Sequence, residues 1–126
     1  MKKYNIFLII ILVTLLFTSC KYDFVLPEEV PVINPDVPVS FATKIAPIFT
    51  AGTCISCHKA GGQTPDLTSA SAYSQIVPAF VNLTSPETSM IYSFPAPTST
   101  THTWKKYTSS EAALILEWIK QGAKNN

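Results

Sequence analysis

The residues with the clearest chemical potential in this sequence form the pentapeptide Cys54-Ile55-Ser56-Cys57-His58. Cys54 and Cys57 are three positions apart, so on a helical turn their side chains project to the same side. Two thiols at this spacing can form thioether bonds to the two vinyl groups of a haem, and the histidine that follows can bind the iron. C-x-x-C-H is therefore a haem-attachment signature. It predicts that Cys54 and Cys57 hold one covalent haem c and that His58 is the proximal ligand.

Three other uses of the same residues compete with haem attachment. A tetrahedral zinc site needs four protein ligands, but Cys54, Cys57 and His58 supply only three, and His102 has no zinc-like partner in the sequence. A thioredoxin-like redox pair needs a strand-helix setting, which the helical pattern described below does not provide. A structural disulfide between residues i and i+3 would constrain very little of the chain. We therefore favour haem over these alternatives.

The other axial position of the iron has two candidate ligands in the predicted domain, Met90 and His102. Haem iron in electron-transfer proteins usually takes a second Met or His ligand. Met90 follows the turn at residues 86–89 and is also typical of a methionine that fills a core. His102 lies among threonines in a polar loop, where a histidine is often simply exposed. A third alternative is an open site.

The first 19 residues predict export from the cytoplasm. Met1-Lys2-Lys3 precedes an apolar run from Ile6 to Phe17 and then small residues, which is typical of a secretory signal peptide. The run is shorter than the roughly 20 residues that span a membrane, which argues against a retained anchor helix. Residues 17–20 resemble a bacterial lipobox, with Phe17 where that motif usually has Leu. The resemblance implies lipidation of Cys20, and several acyl chains give stable membrane anchoring.

Residues 20–39 predict a tether and residues 40–126 predict one folded domain. The tether contains four prolines and four acidic residues against one lysine, which favours extended, semi-rigid chain. A domain of this size buries a modest core, so a cofactor would support it. The chain's net charge of +1 gives no indication of a nucleic-acid partner. Its three cysteines are all accounted for by one lipid and one haem.

The domain pattern predicts a mostly α-helical fold, since no stretch alternates with period two. Ser40 can cap a first helix, which should kink or end near Ala46 because of Pro47. Two short helices are expected within residues 69–81 and 85–92, and a long loop within residues 93–107. The last helix begins with a capping box at Thr108 to Glu111 and ends at Gly122. Its expected apolar stripe consists of Ala112, Ile115, Trp118, Ile119 and Gly122.

Residues 41–123 resemble a small class I type cytochrome c domain of a bacterial lipoprotein. The motifs that carry this resemblance are residues 45–48 (Ile-Ala-Pro-Ile), 54–58, 86–89 (Pro-Glu-Thr-Ser) and 117–123 (Glu-Trp-Ile-Lys-Gln-Gly-Ala). It implies short helices wrapped around one haem, with the first and last helices crossing beside it. In that family the sixth ligand lies in the loop shortly before the last helix. This position favours His102 over Met90 and implies a lower reduction potential than His/Met ligation.

Further side chains of the expected site follow from the same comparison. The free ring nitrogen of His58 should donate to a backbone carbonyl, and Pro65 occupies about the family's position for that acceptor. Trp104 and Tyr107 are candidates to pack on the haem edge or to reach a propionate. Met90 is expected in the core.

The function predicted from these features is single-electron transfer by a membrane-tethered monohaem cytochrome c that is not itself an enzyme. Its partners would be redox proteins, met transiently in the cell envelope at the periplasmic face or cell surface, and Lys105 and Lys106 would favour an acidic partner. One alternative is a haem-based ligand binder or sensor with an open or displaceable sixth position. The others are an accessory haem subunit of a redox enzyme and a structural module that uses haem as a staple.

Overall fold

The computed structural model describes Tyr4 and residues 29–126, and this part of the chain is helical with no β-strand. The predicted mostly α-helical class is therefore confirmed. Four α-helices carry the fold: α1 (Ala46–Ala51), α2 (Ala72–Ile76), α3 (Met90–Ser93) and α4 (Ser109–Lys120). A π-helical turn (Phe41–Ile45) precedes α1, and 3-10 turns lie at Cys54–Ser56 and Pro86–Thr88.

The signal peptide predicted for residues 1–19 lies, apart from Tyr4, outside the described residues, as do Cys20 and the first part of the tether. Within the described part, no helix combines the length and the apolar character needed to cross a membrane.

The first helical segment starts at Ser40 and changes its geometry at Pro47. The Ser40 hydroxyl accepts a hydrogen bond from the N–H of Thr43 at 3.3 Å, as the sequence predicts. The helix does not end before the proline: the wide π-type turn gives way to α-helix at Ala46, and Pro47 lies in the first turn of α1. There its missing N–H costs no hydrogen bond. The predicted irregularity near Ala46 is confirmed as a change of helix type.

The last helix forms as predicted and supplies much of the core. Thr108 and Glu111 make both hydrogen bonds of the capping box, at 3.2 and 2.8 Å. Gly122 ends the helix with φ at +94°, a conformation that glycine adopts without a Cβ penalty. The prediction that Gly122 belongs to the buried apolar stripe was wrong, because Gly122 is exposed while the next residue, Ala123, is buried. The stripe residues confirmed as buried are Ala112, Ile115, Trp118 and Ile119.

The first helical segment packs against the last helix. The rings of Phe41 and Trp118 have centroids 5.4 Å apart, and Tyr73 meets Phe41 edge to face at 5.2 Å. The core also includes Val39, which the prediction placed in the tether. The fully buried large side chains are Trp118, Phe49, Ile45, Ile76, Ile115 and Ile119.

The middle of the chain consists of short helices separated by fixed turns. α2 is followed by Pro78, as predicted. The helix expected over residues 85–92 is instead two pieces, because Ser89 has an extended ψ of 127° between them. The buried Ser89 hydroxyl accepts a hydrogen bond from the N–H of Asn82 at 2.9 Å, which stabilises this break.

Candidate functional site

The turn that carries the two cysteines is held by close backbone packing on both sides. The N–H groups of Cys57 and His58 both donate to the carbonyl of Cys54, at 3.2 and 2.9 Å. Thr53 enters the turn with φ at +59°, which is uncommon for a β-branched residue. After the turn, a Cβ on Gly62 would lie 2.3 Å from the Cys57 carbonyl oxygen. Only glycine therefore fits at position 62 without displacing the cysteine turn.

The two cysteines differ in their surroundings. Both are free thiols in the structure; Cys54 is half-buried and Cys57 is exposed. Burial raises the pKa of the Cys54 thiol, the Glu111 carboxylate raises it further, and the Lys105 ammonium partly offsets both. Cys54 is therefore held as a neutral thiol at neutral pH, whereas Cys57 is open to solvent.

His58 is oriented by the carbonyl of Pro65, the acceptor that the sequence indicated. The distance from Nδ1 of His58 to the Pro65 oxygen is 3.1 Å. Since a carbonyl only accepts, Nδ1 carries the proton and Nε2 keeps its lone pair. The loop that presents Pro65 is fixed at both ends: Leu67 N–H donates to the His58 carbonyl at 3.0 Å, and Asp66 accepts from Thr68. This arrangement is typical of a histidine prepared to bind a metal.

His102 is oriented in the same way from the loop before α4. Its Nδ1 makes a short hydrogen bond to the carbonyl of Lys105, so Nε2 again keeps its lone pair. The ring of Phe94 supports the imidazole in an edge-to-face contact, with centroids 5.8 Å apart. The Lys105 carbonyl and Phe94 are functional residues that sequence reasoning missed, since no pattern in the loop indicates either contact.

The two imidazoles lie near each other with almost parallel planes. Their ring centroids are 6.2 Å apart and the planes differ by 25°. Imidazole nitrogen binds metal ions at about 2.0 Å, so two imidazoles on opposite sides of one metal ion have centroids roughly 6 Å apart. The separation of the two rings is therefore of the size expected for two imidazole ligands of one metal ion.

Both histidines and both cysteines line one mostly apolar cavity of about 420 Å³. This volume falls within the usual range for cofactor and small-molecule sites. The apolar wall is formed by Leu67, Phe80, Ile91, Phe94, Pro95 and Tyr107. The donor set, the paired thiols at one edge and the apolar wall together fit a haem attached at Cys54 and Cys57.

Three sequence expectations about the cavity wall need correction or refinement. Met90 is not a core residue: it is 54% exposed and lines the cavity, because the break at Ser89 turns the start of α3 outward. Tyr107 is buried and its hydroxyl donates to the Ile91 carbonyl at 3.0 Å, so it is not free to reach a propionate. Burial also raises the pKa of Tyr107 well above its usual range. Trp104 lies at the cavity rim and is 91% exposed.

The zinc alternative gains no support from the geometry. Among residues 29–126, no three Cys, His, Asp or Glu side chains converge into a group that could hold a metal ion. His58 and His102 instead line the same apolar cavity as the two cysteines.

No protein-family model matches the chain, and neither does any curated protein or solved structure. The functional assignment therefore depends on the residues of the cavity.

Proposed function

We propose that this protein is a membrane-tethered monohaem cytochrome c that transfers single electrons. The observation that carries the proposal is the pair of imidazoles, His58 and His102, at 6.2 Å beside the Cys54 and Cys57 thiols. The sequence supplies the attachment signature, and the cavity supplies a second ligand with its lone pair free.

The residues that would hold the haem each have one role in this proposal. Cys54 and Cys57 would form the thioether bonds, His58 and His102 would bind the iron, and the carbonyls of Pro65 and Lys105 orient the two imidazoles. A bound haem would supply a one-electron couple. The apolar wall would keep water away from it, and two imidazole ligands would set a lower reduction potential than His/Met ligation.

The envelope location belongs to the same proposal. The signal peptide and the lipobox-like Cys20 support a lipid anchor, and the proline-rich segment supports a tether of limited reach. A tethered carrier meets its redox partners transiently, through small interfaces.

The test is an absorption spectrum of the full-length protein, produced together with a haem c maturation system and extracted in detergent. We expect a haem that remains covalently bound after denaturation, and a low-spin ferric spectrum without the far-red sulfur-to-iron band. A protein without covalent haem would contradict the proposal.

Variants at the distal position test the ligand assignment. His102→Met should introduce the far-red band and raise the reduction potential, because thioether ligation raises it. Met90→Leu is the control: the far-red band should stay absent and the reduction potential should not change. If Met90→Leu instead removes a far-red band present in the wild type, Met90 is the ligand and the assignment of His102 is wrong.

A further inference from the structure

Lys105 touches two parts of the cavity that lie far apart in the chain. Its backbone carbonyl accepts the short hydrogen bond from Nδ1 of His102. Its side chain extends toward the cysteines: Cε of Lys105 lies 3.7 Å from the position that a Cβ on Gly52 would occupy, and Sγ of Cys54 lies 3.3 Å from the same position. The methylene stem of Lys105 therefore meets the backbone at Gly52, beside Cys54.

The contact that Lys105 makes at this point is packing of its stem. Lys105 is exposed, so its ammonium group stays in water while its methylene groups lie along the protein, as is usual for a lysine at the edge of an apolar surface. Among the described residues it forms no ion pair. Burial and the Glu111 carboxylate raise the pKa of the Cys54 thiol, and the Lys105 ammonium acts in the opposite direction, which agrees with a side chain close to Cys54.

No hydrogen bond from outside its own loop fixes the Lys105 carbonyl. The hydrogen bonds of residues 96–106, such as that from Ser99 N–H to the Ala96 carbonyl at 2.9 Å, lie within this stretch. Among the described residues, none joins the stretch to the rest of the domain. The side chain of Lys105 is therefore a direct link between the carbonyl that orients His102 and the segment that enters the cysteine turn.

We infer that Lys105 is a positioning residue, whose packed stem fixes the carbonyl that sets the plane of the His102 imidazole. The inference rests on the proposed function, because it concerns the second ligand of the iron. The contact with Phe94 supports the imidazole at its side, and the hydrogen bond to Lys105 fixes its rotation. The planes of His102 and His58 differ by 25°, and the Lys105 stem keeps this angle by holding the carbonyl against the cysteine turn.

The test is electron paramagnetic resonance of the ferric full-length holoprotein. In a ferric site with two imidazole ligands, the largest g value rises as the two ring planes turn away from parallel. Lys105→Ala removes the stem and keeps the carbonyl, so we expect a larger highest g value, a broader signal and a shifted reduction potential in a site that stays low-spin. A signal and a potential equal to those of the wild type would overturn the inference.

A conservative variant separates the stem of Lys105 from its charge. Lys105→Met keeps an unbranched stem and loses the ammonium group, so the wild-type signal and reduction potential should be retained. If Lys105→Met changes both as much as Lys105→Ala does, the charge and not the packed stem is responsible, and the inference is wrong.

Lys106→Ala is the matched control, because Lys106 is the neighbouring lysine and its Nζ donates to the Pro97 carbonyl at 3.3 Å within the same loop. This variant should leave the signal unchanged. An effect equal to that of Lys105→Ala would show that loss of either lysine disturbs the loop, which contradicts a specific role of Lys105. A protein that lacks covalent haem, or whose far-red band assigns Met90, fails the proposed function instead, so the two failures are distinguishable.

Discussion

At the scale of single residues, the site depends on which nitrogen of each imidazole carries the proton. His58 and His102 both donate from Nδ1 to a backbone carbonyl, which leaves Nε2 as the only atom that can bind a ligand. The two carbonyls belong to Pro65 and Lys105, in loops that differ in sequence and length. The backbone, and not a further side chain, therefore orients both imidazoles.

Gly62 is the residue at which a small change should disturb the site most. In Gly62→Ala the new Cβ would meet the Cys57 carbonyl oxygen, so the cysteine turn must move, and we expect the free energy of unfolding to fall by about 3 kcal/mol. Gly61→Ala is the control: nothing lies within 4 Å of its Cβ and only its φ of +74° is unfavourable, which costs about 1–2 kcal/mol. Urea unfolding and the yield of covalent haem measure both variants, and an equal or smaller loss at Gly62 would contradict the close approach.

At the scale of elements, α4 links the loop that carries His102 to the core. This loop is followed by the buried Tyr107, Thr108 then caps α4, and the buried face of the helix packs against the first helical segment. Glu111 belongs to the capping box and also acts on the pKa of the Cys54 thiol. One helix start therefore terminates the loop and lies close to Cys54.

Thr108→Ala should weaken this helix start. The variant loses the hydrogen bond from the Glu111 N–H to the threonine hydroxyl, and loss of such a cap typically lowers the free energy of unfolding by about 1 kcal/mol. Thr43→Ala is a suitable control, because Thr43 is exposed and its hydroxyl makes no hydrogen bond within the described residues; we expect a change below about 0.5 kcal/mol there. Thermal unfolding of the two holoproteins, followed by circular dichroism, separates these outcomes, and equal losses would argue against the cap.

At the scale of the whole molecule, two amide side chains join the end of the described tether to the end of the domain. Gln121 accepts from the N–H of Val39 at 2.7 Å and donates to the carbonyls of Pro35 and Val37, each at 3.1 Å. Asn126 accepts from the N–H of Phe41 at 2.9 Å. Residues 35–39, which the prediction assigned to the tether, are therefore part of the fold.

The tether and the cavity lie at opposite ends of α4. Tyr107, which lines the cavity, precedes the helix, and Gln121 follows it. A helix of 12 residues is about 18 Å long. Residues 35–39 therefore meet the domain at one end of α4, and the cavity lies near the other end.

Gln121→Ala should release residues 35–39 from the domain. The variant loses the three hydrogen bonds to the tether, so we expect a nonspecific protease to cleave this segment about tenfold faster, given the usual net contribution of such bonds. Gln75→Ala is the control, because Gln75 is exposed on α2 and its side chain makes no hydrogen bond in the described chain. Unchanged cleavage in Gln121→Ala would show that the amide does not hold the segment.

The sequence by itself determined the features that depend on local pattern. Spacing of apolar residues and a capping box predicted α4 and the first helical segment, and Pro47 predicted the irregularity at Ala46. The C-x-x-C-H spacing predicted that Cys54, Cys57 and His58 act together, and comparison with the cytochrome c pattern indicated the Pro65 carbonyl that His58 bonds to. These features need only residues close together in the chain, so they can be read from one sequence.

Only the tertiary structure decided how distant residues meet. The distance between His58 and His102 joins two loops that are far apart in the chain, and no local pattern encodes such a spacing. The same holds for the exposure of Met90, which depends on the break at Ser89 and its bond to Asn82. The contacts of the Lys105 carbonyl, the Tyr107 hydroxyl and the Gln121 amide arise from chain packing, because such groups carry no signal in sequence until the fold gives them partners.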